Sequence, residues 1–153
     1  MKTKTIHQTV TFHASPRRVY DLIMDSRQHA ALSGEPATIS RSVGGRFSAW
    51  GPHISGINLV LRPGKKIVQA WPAKDWWPDH YSVVSFDIER VKGGSKLTFT
   101  QTGVPSHRYR GHYRGWITTY WTPMKEILSQ GTRSMQTRQI VKEAKKRIRS
   151  GRL

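Results

Sequence analysis

One stretch late in the chain constrains the fold more than any other. Between Tyr113 and Leu128 the apolar residues are Trp116, Ile117, Tyr120, Trp121, Met124, Ile127 and Leu128. Their spacing is that of a helix with a wide apolar stripe on one face. Gly115 stands just before the stripe, and Gly131 stands where a left-handed cap would end it. Pro123 falls inside; it removes one backbone hydrogen bond and is expected to bend the axis. Aromatic rings of this size need a broad apolar surface to cover, and a sheet is the natural one.

The rest of the chain supplies that sheet. Ile6, Gln8, Val10 and Phe12 alternate with polar residues, as in a half-buried strand. Ser15-Pro16 then reads as a helix start, with Ser as the cap and Pro in the first turn. A short apolar face follows at Val19, Tyr20, Leu22 and Ile23. Asp25 or Ser26 can cap a second short helix that runs through Leu32, with Gly34 beyond its end. From Glu35 to Gly103 the period changes to two. Strands are expected around Thr38–Ser40, Phe47–Trp50, Ile57–Leu61, Ile67–Trp71, Ser82–Ile88 and Leu97–Gln101, joined by short turns such as Arg62-Pro63-Gly64-Lys65 and Gly93-Gly94. Short connections make these strands antiparallel neighbours. The expected fold is α+β: a curved antiparallel sheet of six to seven strands around a long C-terminal helix, with two short helices after the first strand.

Composition bounds the function. The chain has 153 residues, enough for one domain at 1–130 and a basic C-terminal extension at 131–153. Cysteine is absent, which excludes disulfides, thiolate metal sites and a cysteine nucleophile. The chain has no long apolar run and no signal-like start, so a cytoplasmic protein without a transmembrane segment is expected. The formal charge of +17 points to a polyanionic neighbour.

Three segments carry a more specific signal: Trp116–Trp121, Leu61–Trp71 and Thr98–Pro105. With Ser15-Pro16-Arg17-Arg18-Val19-Tyr20 they resemble the homologues of the activator of the 90-kDa heat-shock protein ATPase. That family lies in the START-like, birch-pollen-allergen-like (SRPBCC) helix-grip superfamily, and the resemblance spans roughly residues 5 to 129. It implies the helix-grip fold, a hydrophobic cavity, no metal or cofactor, and a link to a heat-shock chaperone and the stress response.

Several groups of residues are candidate sites. The strand phases aim Phe47, Ile57, Leu59, Trp71, Phe86, Phe99 and Gln101 inward, facing Trp116, Tyr120 and Met124. The bland reading is core packing; the functional one is a ligand cavity lined by Phe47, Trp71, Phe86, Phe99, Gln101, Trp116, Tyr120 and Met124. Trp76 and Trp77 lie in a loop rich in Trp and Pro, where they either fold back as a lid or meet a partner at the cavity mouth. Arg108, Arg110 and Arg114 interleave with Tyr and His in a loop at 106–114, a pattern that suits phosphates and bases. The extension adds Arg138, Lys142, Lys145, Lys146, Arg147 and Arg149, and Val141, Ala144 and Ile148 give it a weakly amphipathic helical pattern.

Catalytic signals are poor. Asp21 and Asp25 share a helix face, and His107 and His112 sit five apart, but no metal-binding or nucleophile motif is present. Three functions are therefore carried forward. The leading one is a non-enzymatic domain that binds a small hydrophobic molecule, assists a heat-shock chaperone, or both. The second is a nucleic-acid- or ribosome-associated protein acting through the basic loop and tail. The third is a polyketide-cyclase-like enzyme.

Overall fold

The computed structural model describes residues 2–51, 54–73 and 76–129. The extension at 131–153, with its proposed helix and six of the nine proposed polyanion-binding residues, lies outside them. Seven strands form one antiparallel curved sheet in the order β1-β7-β6-β5-β4-β3-β2. They are β1 (Thr3–Phe12), β2 (Thr38–Ile39), β3 (Arg46–Ala49), β4 (Ile54–Arg62), β5 (Lys66–Pro72), β6 (Tyr81–Val91) and β7 (Gly94–Pro105). The chain belongs to the expected α+β, helix-grip class.

Two short helices separate β1 from β2. Helix α1 (Pro16–Met24) starts where Ser15 Oγ accepts the Arg18 N–H at 3.2 Å, with Pro16 in its first turn. Helix α2 (Ser26–Ser33) is capped by Asp25, whose carboxylate accepts the Gln28 N–H at 3.0 Å, and ends at Gly34 with φ 76°. Asp21 is held by Arg41 at 2.6 Å and Arg17 at 3.3 Å. Both acidic residues of this face therefore serve structure.

Strand β4 corrects the sequence reading. Ile57 and Leu59 were expected to face inward, but they are 37% and 44% exposed. The inward positions belong to Gly56 and Asn58. A side chain at 56 would collide with the Phe47 ring and the Ala70 carbonyl, so glycine is needed there. Asn58 donates to the Ser40 carbonyl at 2.7 Å and accepts from Gln69 at 3.0 Å. A bulge between Asn58 and Val60 then shifts the phase, which brings Leu61 back to the core.

The last helix lies across the inner face of the sheet, and it starts earlier than expected. The segment 106–114 is no loop: it forms a tight turn (Ser106–Arg108) and then α3 (Tyr109–Trp116). Its outer side is Arg-rich and carries Gly111, which hid the helical period. After α3 comes a wide π-turn, Ile117–Trp121, and the helix resumes through 122–129. The wide turn ends two residues before Pro123, whose ring and missing N–H disrupt the regular ladder. Thr118 and Thr119 hydroxyls donate to the Gly115 carbonyl at 3.4 and 2.5 Å. The extra residue lets the neighbouring Tyr120 and Trp121 both point inward, while Ile117, expected on the apolar stripe, is turned outward to 39% exposure.

Candidate functional site

Between the last helix and the β4–β5–β6 part of the sheet lies an open cleft of about 490 Å³. Its floor is an aromatic row. The Trp71 and Trp116 rings are 5.4 Å apart and tilted by 38°; Trp116 and Tyr120 are 4.7 Å apart and tilted by 35°. Ile54, Pro72, Ala73 and Trp76 also line the cleft, and Ser82 and Gln101 add polar groups.

The polar atoms of the aromatic row are turned away from the opening. Trp116 donates its indole N–H to Gln101 Oε1 at 2.7 Å, and Trp71 donates to Gln69 Oε1 at 3.0 Å. Because an indole can only donate, the Gln101 oxygen must face it, so the Gln101 amide nitrogen donates to Ser82 Oγ at 2.9 Å. Ser82 in turn donates to the Thr102 carbonyl at 2.8 Å. The cleft thus combines ring faces with polar groups, since Ser55, Ser82, His112 and Thr119 line it beside the Gln101 amide.

Tyr120 is tied from behind. Its hydroxyl accepts the Trp50 indole N–H at 3.1 Å and lies 3.0 Å from His29 Nε2. Trp50 sits at φ 57°, a strained conformation for a bulky residue, and its ring lies 6.1 Å from that of Tyr120. Burial pushes the Tyr120 hydroxyl far above the usual phenol range, partly opposed by the bond from Trp50. Burial also lowers the His29 pKa, so the imidazole is neutral at pH 7. The contact with Tyr120 occupies Nε2 and leaves Nδ1 on the other side of the ring. That nitrogen is the buried side-chain atom without a partner among the described residues.

Four of the eight proposed cavity residues, Trp71, Gln101, Trp116 and Tyr120, line the cleft. Phe47 and Phe86 face a separate inner void of about 10 Å³. Phe99 and Met124 are packed in the core with no exposed surface. Trp76 lines the cleft and meets His112 edge-on at 4.9 Å, whereas Trp77 packs on His80 at 5.0 Å. Arg108, Arg110 and Arg114 lie exposed on the tight turn and α3.

Sequence reasoning missed His29, Trp50, His112 and Gly115 as parts of this region. His112 and Gly115 were hidden by reading 106–114 as a loop: on a helix they fall on the Trp116 side. His112 has its pKa lowered by burial and then by the Arg108 charge. His29 and Trp50 reach Tyr120 across long sequence separations, which no local pattern reports. Gln8, Gln69 and Gln101 did carry a signal. Each is a polar residue in an inward strand position, and each receives a Trp indole N–H.

Comparison with known proteins follows the same geometry. The family described as Activator of Hsp90 ATPase homolog 1-like protein matches residues 13–129. An activator of 90 kDa heat shock protein ATPase homolog from Dictyostelium discoideum is 29% identical over 133 residues, which are 86% of this chain and 34% of that protein. The homolog 2 from Mus musculus is 24% identical over 82% of this chain and 38% of its own length. The chain therefore spans little more than a third of the curated relatives it matches. A crystal structure of an HSP90 activator from Plasmodium falciparum superposes with a TM-score of 0.74 at 26% identity, covering 82% of this chain and 96% of that one.

Proposed function

The chain belongs to the Activator of Hsp90 ATPase homolog 1-like family, and from that premise we propose that it is a binding domain whose cleft takes a small hydrophobic molecule. The observation that carries this reading is the aromatic row of Trp71, Trp116 and Tyr120, which stands open to a cleft of about 490 Å³. That volume lies in the range of small-molecule sites, which are mostly apolar with a few placed polar groups. The test is a native mass spectrum of the protein after a high-salt wash. Salt strips polyanions but leaves a buried apolar ligand in place. A discrete added mass that Trp116→Ala removes supports the reading; a ligand-free mass in protein taken directly from cells counts against it.

A second reading is assistance to a heat-shock chaperone, and the names of the relatives favour it. The Plasmodium falciparum structure is that of an HSP90 activator and is covered over 96% of its length. Stimulation of the ATPase of a 90-kDa heat-shock chaperone by the full chain is the direct measurement. No stimulation at saturating protein rejects this reading. The family match ends at residue 129, which supports a division into a domain at 1–130 and a basic extension at 131–153.

A further inference from the structure

Gly115 stands in the last helix at a position where glycine weakens the helix relative to alanine. Packing does not require it: a side chain there would meet no atom within 4 Å. What a side chain would enter is the cleft, which Gly115 lines beside Trp116 and Thr119. The residue therefore keeps space open in the cleft that Trp116 also lines.

The shape and polarity of that space define what fits it. The Trp71, Trp116 and Tyr120 rings form a continuous wall with successive centroids 5.4 and 4.7 Å apart. Such a wall is best covered by another flat ring system. None of the described residues that line the cleft is an Asp, Glu, Lys or Arg. A carboxylate pushed inside would lose hydration and meet only His112 and neutral hydroxyls, with no fixed opposite charge among the described lining residues. At the inner end Gln101 is 3% exposed, and its carbonyl is already taken by Trp116. Its amide nitrogen uses one hydrogen on Ser82 and has a second to give. The fixed polarity of that end is a donor, which calls for an acceptor on the ligand.

We propose that Gly115 is a specificity-determining residue, and that the ligand it admits is a flat, uncharged aromatic molecule with a carbonyl-type acceptor that meets Gln101. This rests on the cleft being a ligand site.

The test is titration of the full chain, followed by tryptophan fluorescence, with four probes: 9-fluorenone, fluorene, 9-fluorenone-1-carboxylate and 1-dodecanol. Fluorenone is expected to bind tightest. Fluorene, which lacks the carbonyl, should bind up to about tenfold more weakly, the worth of one net hydrogen bond. The carboxylate should lose at least about tenfold through its buried charge. Gly115→Leu should abolish fluorenone binding. Gly111→Leu, on the same helix and also without a neighbour within 4 Å, should retain it.

Equal affinities for fluorenone and fluorene would overturn the carbonyl assignment. An undiminished affinity for fluorenone in Gly115→Leu would overturn the role of Gly115. If dodecanol binds more tightly than fluorenone and loses affinity in Gly115→Leu, the cleft is a ligand site but this ligand class is wrong. If no probe binds, the ligand class falls, and a ligand-free native mass would take the cleft reading with it.

Discussion

Two tryptophans five residues apart on one helix are anchored alike and end in different surroundings. Trp116 and Trp121 each donate an indole N–H to a strand glutamine at 2.7 Å, Gln101 and Gln8 respectively. Both are nearly buried, at 5% and 4% exposure. Around Trp121 the structure is closed: Gln8 spends its amide on the Tyr113 carbonyl at 2.8 Å, and Phe86 and Phe99 pack edge-on. Trp116 also packs on Phe99, at 4.2 Å, but one flank faces the cleft. The contrast shows that an aromatic stripe tells what a helix covers, whereas an open site depends on which neighbour lacks a side chain.

Truncation should separate the two ends most strongly. Trp121→Ala is expected to cost about 3–5 kcal/mol, the usual range for a buried aromatic. Trp116→Ala should cost less, because the space it leaves joins an existing cleft that solvent can enter. Denaturant unfolding of both variants measures the difference, and equal losses would break the comparison.

The glutamines sharpen it. Gln8→Leu strands the Trp121 N–H in a closed core, at about 1–3 kcal/mol. Gln101→Leu should cost a comparable amount, because Gln101 is only 3% exposed and its loss strands the buried Trp116 N–H in the same way. A larger loss for Gln101 would mean that its network with Ser82 matters to folding more than Gln8 does.

Acid should act through the closed side of Tyr120. Burial lowers the His29 pKa below its ordinary 6.5. The unfolded chain therefore takes up a proton near that value while the folded chain resists it. Stability is full above pH 6.5 and declines as the pH falls from there toward the folded value. His112 shifts in the same direction and adds to the decline. In His29→Phe the unfolding midpoint should fall less between pH 7 and pH 5 than in the wild type. An unchanged slope would place the acid sensitivity elsewhere.

The smallest effect has the opposite sign. Gly115→Ala should stabilise the protein by about 0.5–1 kcal/mol, because alanine favours the helix and a methyl group meets nothing there. At Gly94, with φ 157° and the Phe12 carbonyl in the way, the same change should destabilise. Melting temperatures of the two variants report the contrast directly.

The elements were legible wherever a local rule decided them. Ser15-Pro16 and Asp25 start their helices, Gly34 ends one, and the alternation of β1, β6 and β7 runs as read. The failures have physical causes. Leu59 sits at a bulge, so a strict period of two put the wrong face of β4 inward. The first turns of the last helix carry Arg and Gly outward and looked like a loop. Half of the proposed cavity residues line the cleft; the others fill the core, because periodicity gives the face of a strand but not what covers it. His29 and Trp50 converge on Tyr120 only through the tertiary fold.

The aromatic row has an optical consequence. Trp71, Trp116 and Trp121 form a chain of indoles with successive centroids 5.4 and 5.7 Å apart. At such separations excitation passes readily from ring to ring, and the fixed tilt makes the coupled transitions chiral. The folded domain should therefore give an intense near-ultraviolet circular dichroism band. A quencher seated on Trp116 alone will dim its two neighbours as well, so the buried end of the row reports on the open one.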